Sequence, residues 1–255
     1  MHKKTVSLCS ILFLTLSLSA CSGGGSDSPT PPASASATSA EGLWNGTTNS
    51  GRSVAGLVLH DGTYWFLYTL MGYPSVVAGV VQGNGSSQNG SLTSSNTKDF
   101  NLEGLGILDA SINGSYVMKQ SLNGTIVIAN NGGQSTFTTT YNTDYDIPPN
   151  PALLTGTYTG STATTGGVEA VTLTVSAPGT ITGSSASLCS FTGSFAPRSS
   201  GNAYDVSITF AGGVCSNGTS TVTGVAFFDA GTKKLYSAGL NSGRTNGFVF
   251  IGTKP

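Results

Sequence analysis

Gly42-Leu43-Trp44-Asn45-Gly46-Thr47 and Gly156-Thr157-Tyr158-Thr159-Gly160-Ser161 are the two stretches on which the fold of this chain turns. Each reads Gly, any residue, a large aromatic, any residue, Gly, a small hydroxyl. Side chains alternate faces along a strand, so the aromatic lands on the inward face of a first strand, and the glycine after it permits a bend. One opening used twice implies two β modules.

A longer echo supports this. Gly56-Leu57-Val58-Leu59-His60-Asp61-Gly62-Thr63 runs on to Leu67-Tyr68-Thr69, and Gly224-Val225-Ala226-Phe227-Phe228-Asp229-Ala230-Gly231-Thr232 runs on to Leu235-Tyr236-Ser237. Each is an apolar strand, a tight Asp/Gly turn and a return strand, the pattern of a hairpin. The hairpins fall at different places in their modules, so a simple tandem duplication is not implied. Alternating runs such as Val171-Thr172-Leu173-Thr174-Val175, Val206-Ser207-Ile208-Thr209-Phe210, Thr125-Ile126-Val127-Ile128 and Phe248-Val249-Phe250-Ile251 read as strands, and no helical period survives after residue 40. Eight or nine strands per module at short spacing predict antiparallel meanders. The chain is therefore expected to be all-β, with two eight-stranded up-and-down barrels as the preferred architecture and β-sandwiches as the alternative. Closure removes the edges that Thr- and Val-rich strands would otherwise expose. Ile147-Pro148-Pro149-Asn150-Pro151 cannot sit in a central strand, so 41–146 is read as the first module, 147–151 as a proline hinge and 152–255 as the second.

Composition narrows the function. Ser, Thr and Gly make up 106 of the 255 residues, and charged residues only 8 %. Clustered Lys and Arg for neutralising phosphates are missing, which excludes an ordinary nucleic-acid binder. Ser, Thr, Asn and Gly interrupt nearly every strand, a poor match to the lipid-facing rows of a membrane-spanning barrel.

The N-terminus reads as an address. A basic start, Met1-His2-Lys3-Lys4, precedes an apolar stretch over 5–20 that is too short for a stable transmembrane helix. It ends in Leu18-Ser19-Ala20-Cys21, which resembles the lipobox of bacterial lipoproteins. That resemblance implies a signal peptide over 1–20 and a diacylglycerol on the Cys21 thiol, with palmitate or a similar chain on its amine. Ser22 in place of Asp favours the outer membrane, with the leaflet open. Residues 21–40 would be the lipidated cysteine and a flexible Ser/Gly/Pro tether. The segments 42–48, 113–116, 189–197, 224–229 and 247–254 resemble uncharacterised proteobacterial outer-membrane lipoproteins with tandem small β modules. Phe191-Thr192-Gly193-Ser194-Phe195-Ala196-Pro197 is loosely similar to a strand of the lipid-anchored barrels of transferrin-binding protein B and factor H binding protein. The long charged loops of those receptors are missing here.

The remaining residues offer little catalytic chemistry. Cys189 and Cys215, an even pair in an exported chain, are read as a disulfide. His60, the only histidine after residue 2, precedes a turn, and no Gly-x-Ser-x-Gly elbow accompanies it. Asp99 and Glu103 stand four apart and Asp144 and Asp146 two apart, without the setting of a glycosidase pair. Arg52, Arg198 and Arg244 are isolated in the sequence. No metal or other cofactor is expected.

One strand is apolar on both sides. Tyr64, Phe66, Tyr68 and Leu70 line one face of residues 64–71, and Trp65, Leu67 and Met71 the other. The second face must meet the other module, a protein, a lipid surface or a ligand, so Tyr64, Trp65, Phe66 and Tyr68 form the candidate partner or ligand surface, and the Trp65 N–H is expected to be paired. The expected function is that of an outer-membrane-anchored, non-enzymatic binding or structural component, its membrane contact made through the covalent lipid and its partner an envelope or host protein. Two rivals stand beside it. One is a carrier of a small apolar ligand in a barrel mouth, which a barrel left unfilled would favour. The other is an enzyme on a β scaffold, which would require His60 to meet a carboxylate and a hydroxyl together.

Overall fold

The computed structural model of the chain describes residues 39–255, so Cys21 and nearly all of the tether lie outside the described residues. The first module holds strands β1 (Gly42–Thr48), β2 (Ser53–Val58), β3 (Thr63–Leu70), β4 (Tyr73–Asn84), β5 (Ser86–Gln88), β6 (Ser91–Asn101), β7 (Gly106–Val117), β8 (Ser121–Ile128) and β9 (Gln134–Asn142). They pair antiparallel in chain order, with β4 joined to β6 and β9 returning to β1, which closes an eight-stranded barrel; β5 lies along β6. The second module is an eight-stranded closed barrel of β10 (Gly156–Thr164), β11 (Gly167–Ser176), β12 (Thr180–Ser185), β13 (Ser190–Pro197), β14 (Tyr204–Phe210), β15 (Thr221–Asp229), β16 (Lys234–Leu240) and β17 (Gly247–Thr253). The barrel reading of the sequence holds and the sandwich alternative does not.

The repeated opening acquires a physical explanation. Trp44 and Tyr158 are fully buried, each inside its own barrel. Trp44 Nε1 donates to the Ala40 carbonyl at 3.0 Å, and the Tyr158 hydroxyl to the Leu154 carbonyl at 2.9 Å. Each aromatic thus pins the chain four residues before it. The following glycine serves closure. A Cβ on Gly46 would stand 1.9 Å from the Thr138 carbonyl oxygen of β9, and one on Gly160 would stand 2.1 Å from that of Ile251 on β17. In both barrels the first strand can meet the last this closely only because a side chain is missing.

Three apolar clusters form. Trp44, Tyr64, Phe66, Leu92, Ile112 and Phe137 fill part of the first barrel. Tyr158, Ile181, Phe195, Ile208, Leu235 and Phe250 belong to the packed interior of the second. The third joins the outer faces of the barrels: Leu43, Leu57, Trp65, Val80 and Phe100 meet Val225, Phe227, Ala238, Leu240 and Val249. Strand β3 therefore feeds two cores, with Tyr64 and Phe66 inward and Trp65 and Leu67 toward the second barrel. Both barrels belong to one compact unit.

The connection between them is anchored on both sides. Thr143–Asp146 forms a 3-10 turn, and Pro151–Leu154 (α1) forms one helical turn with Pro151 in its first turn, where the missing N–H costs nothing. Asn150 caps α1 through Ala152 N at 3.0 Å. Tyr145 is buried and its carbonyl accepts from Asn202 N at 2.9 Å; Asn150 N donates to the Tyr204 hydroxyl at 2.7 Å; Leu154 is fully buried against the second barrel. The prolines at 147–151 thus mark a held crossing and not a free hinge. Cys189 and Cys215 are bonded, tying the β12–β13 turn to the β14–β15 turn.

Candidate functional site

Strand β4 lies between β3 and β6 and carries Gly79 and Gly83 where side chains would point inward. A Cβ on Gly79 would stand 2.2 Å from the Tyr68 hydroxyl oxygen, and one on Gly83 the same distance from that of Tyr64. The two glycines leave slots in which the β3 tyrosines lie across β4 and reach β6. Tyr64 meets Ser94 Oγ at 2.8 Å and Thr97 Oγ1 at 2.6 Å. The Tyr68 hydroxyl donates to Asp99 Oδ1 at 2.8 Å and accepts from Asn101 Nδ2 at 3.2 Å. A register irregularity in β6 between Ser94 and Thr97 gives the inward face to Thr97 and Asp99.

Asp99 is only 9 % exposed. Among the described residues, the Tyr68 hydroxyl is its one side-chain donor, and its Oδ2 has none. Arg52 lies over the Tyr68 ring at 5.6 Å, but its charge is engaged elsewhere. Its guanidinium meets Glu103 at 2.8 and 3.2 Å and donates to the Thr69 carbonyl at 3.0 Å. With Arg52 and Glu103 paired, Asp99 is the uncompensated charge. Burial pushes its carboxyl up to about 6, against the pull of the Tyr68 hydrogen bond and the more distant Arg52. Burial and the neighbouring Asp99 carboxylate both push the Tyr68 hydroxyl well above the usual phenol range.

Next to this cluster the barrel is open. A cavity of about 260 Å³ is walled by Val54, Phe66, Val81, Ile126, Ile128 and Phe137, with Tyr68, Asp99 and Asn101 as its inner polar groups and Arg52 and Glu103 at the rim. The second barrel holds only about 40 Å³, because phenylalanines at 191, 195, 210, 248 and 250 fill it. The unfilled barrel is therefore the first.

His60 is exposed at the β2–β3 turn, with Nδ1 3.0 Å from Glu41 Oε2. Glu41 Oε1 accepts from the Tyr145 hydroxyl at 2.9 Å and from the Ser200 hydroxyl. An imidazole, a carboxylate and a hydroxyl do assemble, but the hydroxyl is bonded to the carboxylate. A nucleophile needs the base itself. The group joins the first barrel, the connection and the second barrel. Burial works to raise the Glu41 pKa, yet hydrogen bonds from Ser200, His60 and Tyr145 outweigh it and hold the carboxyl below its ordinary value. Asp146 accepts from Lys119 at 2.6 Å and from Tyr141 at 2.9 Å at the surface. No group of three or more metal-ligating side chains occurs among the described residues.

No protein-family model matches this chain, and no curated protein sequence matches it. Among solved structures it aligns with the crystal structure of "a putative outer membrane protein" from Bacteroides fragilis NCTC 9343, at 14 % identity over 86 % of this chain and 97 % of that one. The TM-score is 0.26, an overlap too low to relate the two proteins in fold or function.

The aromatic stretch singled out in the sequence does not form an exposed partner surface. Tyr64, Trp65 and Phe66 are at most 4 % exposed, two inside the first barrel and Trp65 between the barrels. Phe66 and Tyr68 line the cavity from within. The Trp65 Nε1 is buried without a partner, contrary to the expected pairing. The three arginines are not isolated: Arg52 pairs with Glu103, Arg198 with Asp61 and Asp205, and Arg244 donates to the Gln82 and Asn96 carbonyls across the barrels. Sequence reading passed over Asp99 and Glu103 as a site. The irregularity at Ser95-Asn96 hides the parity that would have placed Asp99 inside with Thr97.

Proposed function

We propose that the protein is an outer-membrane lipoprotein, anchored through acyl chains on Cys21, that binds a small ligand in the mouth of its first barrel and does not transform it. The observation that carries the binding reading is the contrast between the barrels. One is filled, and the other keeps an apolar cavity with a few convergent polar groups, the usual make-up of a ligand site. The anchor is supported by Leu18-Ser19-Ala20-Cys21. The β1–β2, β6–β7 and β8–β9 turns surround the cavity, whereas the chain enters β1 at the opposite end of the barrel. The hydroxyl at Glu41 that bonds the carboxylate instead of the imidazole supports a role without catalysis.

Two measurements test this. Labelled palmitate should enter the wild type and not Cys21→Ala, and equal labelling would refute the anchor. The neutral single-ring probe 4-fluorotoluene should bind saturably to the protein freed of lipid, followed by its fluorine NMR shift. Ile126→Trp, which fills the cavity, should abolish the signal, and Val168→Trp at the exposed start of β11 in the second barrel should not. A signal unchanged by Ile126→Trp would refute the mouth as the site.

A further inference from the structure

We infer that the first-barrel mouth selects an organic cation, an ammonium group on a small apolar body, with Asp99 as the counter-charge. This inference deepens the binding-site reading above and depends on it. Asp99 offers an acceptor oxygen, Oδ2, that no described donor reaches, although the residue is nine-tenths buried and lines the cavity. That oxygen opens onto the cavity, and a carboxylate among largely apolar walls is poorly compensated, so a cation hydrogen-bonded to it offsets part of the cost of its burial. The other charges around it do not compete. Arg52, from the β1–β2 turn, is paired with Glu103, from the β6–β7 turn; the remaining polar neighbours, Tyr68 on β3 and Asn101 on β6, are neutral. Lys98, next to Asp99 in sequence, is bonded to Asp109 on β7 at 2.6 Å. The lining therefore carries one net negative charge. Most of its wall is Val54, Val81, Ile126 and Ile128 with the rings of Phe66, Tyr68 and Phe137, and the neutral polar residues Thr48, Gln134 and Ser135 complete the lining. Aromatic faces attract cations, and aliphatic walls favour an apolar body over a polyol or a peptide. At about 260 Å³ the cavity is smaller than a drug-sized pocket of roughly 300 Å³ or more, which limits the ligand to a single small ring or a short branched chain. Competing ligand chemistries fit less well. An anion would meet Asp99 without a free cation to receive it, and a neutral ligand would leave the carboxylate uncompensated.

The test uses three probes of one shape: phenethylammonium, 2-phenylethanol and 3-phenylpropanoate, titrated calorimetrically into the whole protein at pH 7.5. The ammonium is expected to bind at least tenfold tighter than the alcohol, and the carboxylate weakest of the three. Asp99→Asn should remove the ammonium preference and leave alcohol binding within about twofold. Affinity for the ammonium should fall as pH drops through about 6, where Asp99 takes up a proton, while that of the alcohol stays level. Equal affinity for ammonium and alcohol, preference for the carboxylate, or an ammonium preference that survives in Asp99→Asn each overturns the cation assignment and leaves the mouth as a binding site. Failure of all three probes, together with a fluorotoluene signal that Ile126→Trp does not change, overturns the binding-site reading itself.

Discussion

A carboxyl among apolar walls with a single hydroxyl donor is harder to ionise than one in water, and this sets how Asp99 responds to pH. Between its ordinary value of 3.8 and the folded value of about 6, the folded chain keeps a proton that the unfolded chain has released. Stability therefore falls as pH rises through that window, and the full cost is present above it. Asp99→Asn, which keeps an acceptor for Tyr68, is expected to stabilise the protein by roughly 1–3 kcal/mol at pH 7.5 and by almost nothing near pH 4. Denaturant melts at the two pH values check this, and a wild type more stable than the variant at pH 7.5 would contradict it. A residue that costs stability at neutral pH and lines a cavity is the pattern of a binding group. The disulfide is a residue-scale stabiliser of the opposite kind. With Cys189 and Cys215 separated by 26 positions, replacing both by Ala should remove about 3.5 kcal/mol, read as a shift in denaturant midpoint without loss of the β spectrum.

The element that makes the site is β4, through what it lacks. Gly79→Ala would set a Cβ 2.2 Å from the Tyr68 hydroxyl oxygen and 2.8 Å from the Phe100 carbonyl oxygen. Tyr68 must then leave Asp99, because the backbone of β6 cannot easily give way. The expected cost is about 1–3 kcal/mol from overpacking. Asp99 should titrate still higher without its donor, which carboxyl NMR can follow. An unchanged Asp99 titration in Gly79→Ala would show that the Tyr68 contact does not depend on the slot. The same logic runs through both openings. Gly46 and Gly160 were expected to allow a bend, but the close approach of β9 and β17 shows that they allow closure.

For the molecule as a whole the decisive feature is the apolar seam between the barrels. Trp65 is its largest side chain from the first barrel and is 4 % exposed. Trp65→Ala should cost roughly 3–5 kcal/mol in a melt of the whole chain. Because the indole N–H has no partner, Trp65→Phe loses packing alone and should cost less than half as much. Equal losses for the two variants would mean that the N–H is bonded after all. The polar margin of the seam is pH-sensitive through Glu41, whose folded pKa is lowered. Its contribution is present above the ordinary carboxylate range and is lost as pH falls through the folded value. The stability advantage of wild type over Glu41→Gln should therefore shrink from about pH 5 downward, measured by melts across that range.

The all-β class, the two barrels and the disulfide were legible in the sequence because they depend on local rules. Alternation along a strand, Asp/Gly turns and a repeated Gly-x-aromatic-x-Gly opening are properties of neighbouring residues, and an even cysteine pair needs no geometry to be noticed. The two-faced strand was legible for the same reason, since parity alone separates Tyr64, Phe66 and Tyr68 from Trp65 and Leu67. What covered its outer face was not, because that depends on how β15 to β17 come to lie against β1 to β4. The site was hidden for two further tertiary reasons. The irregularity at Ser95-Asn96 moves Asp99 to the inward face against the parity set by Leu92 and Ser94, and the absent side chain at Gly79 lets Tyr68 reach it from two strands away. A strand's period can be read from its letters, but a contact across a glycine on a third strand exists only once the barrel has closed.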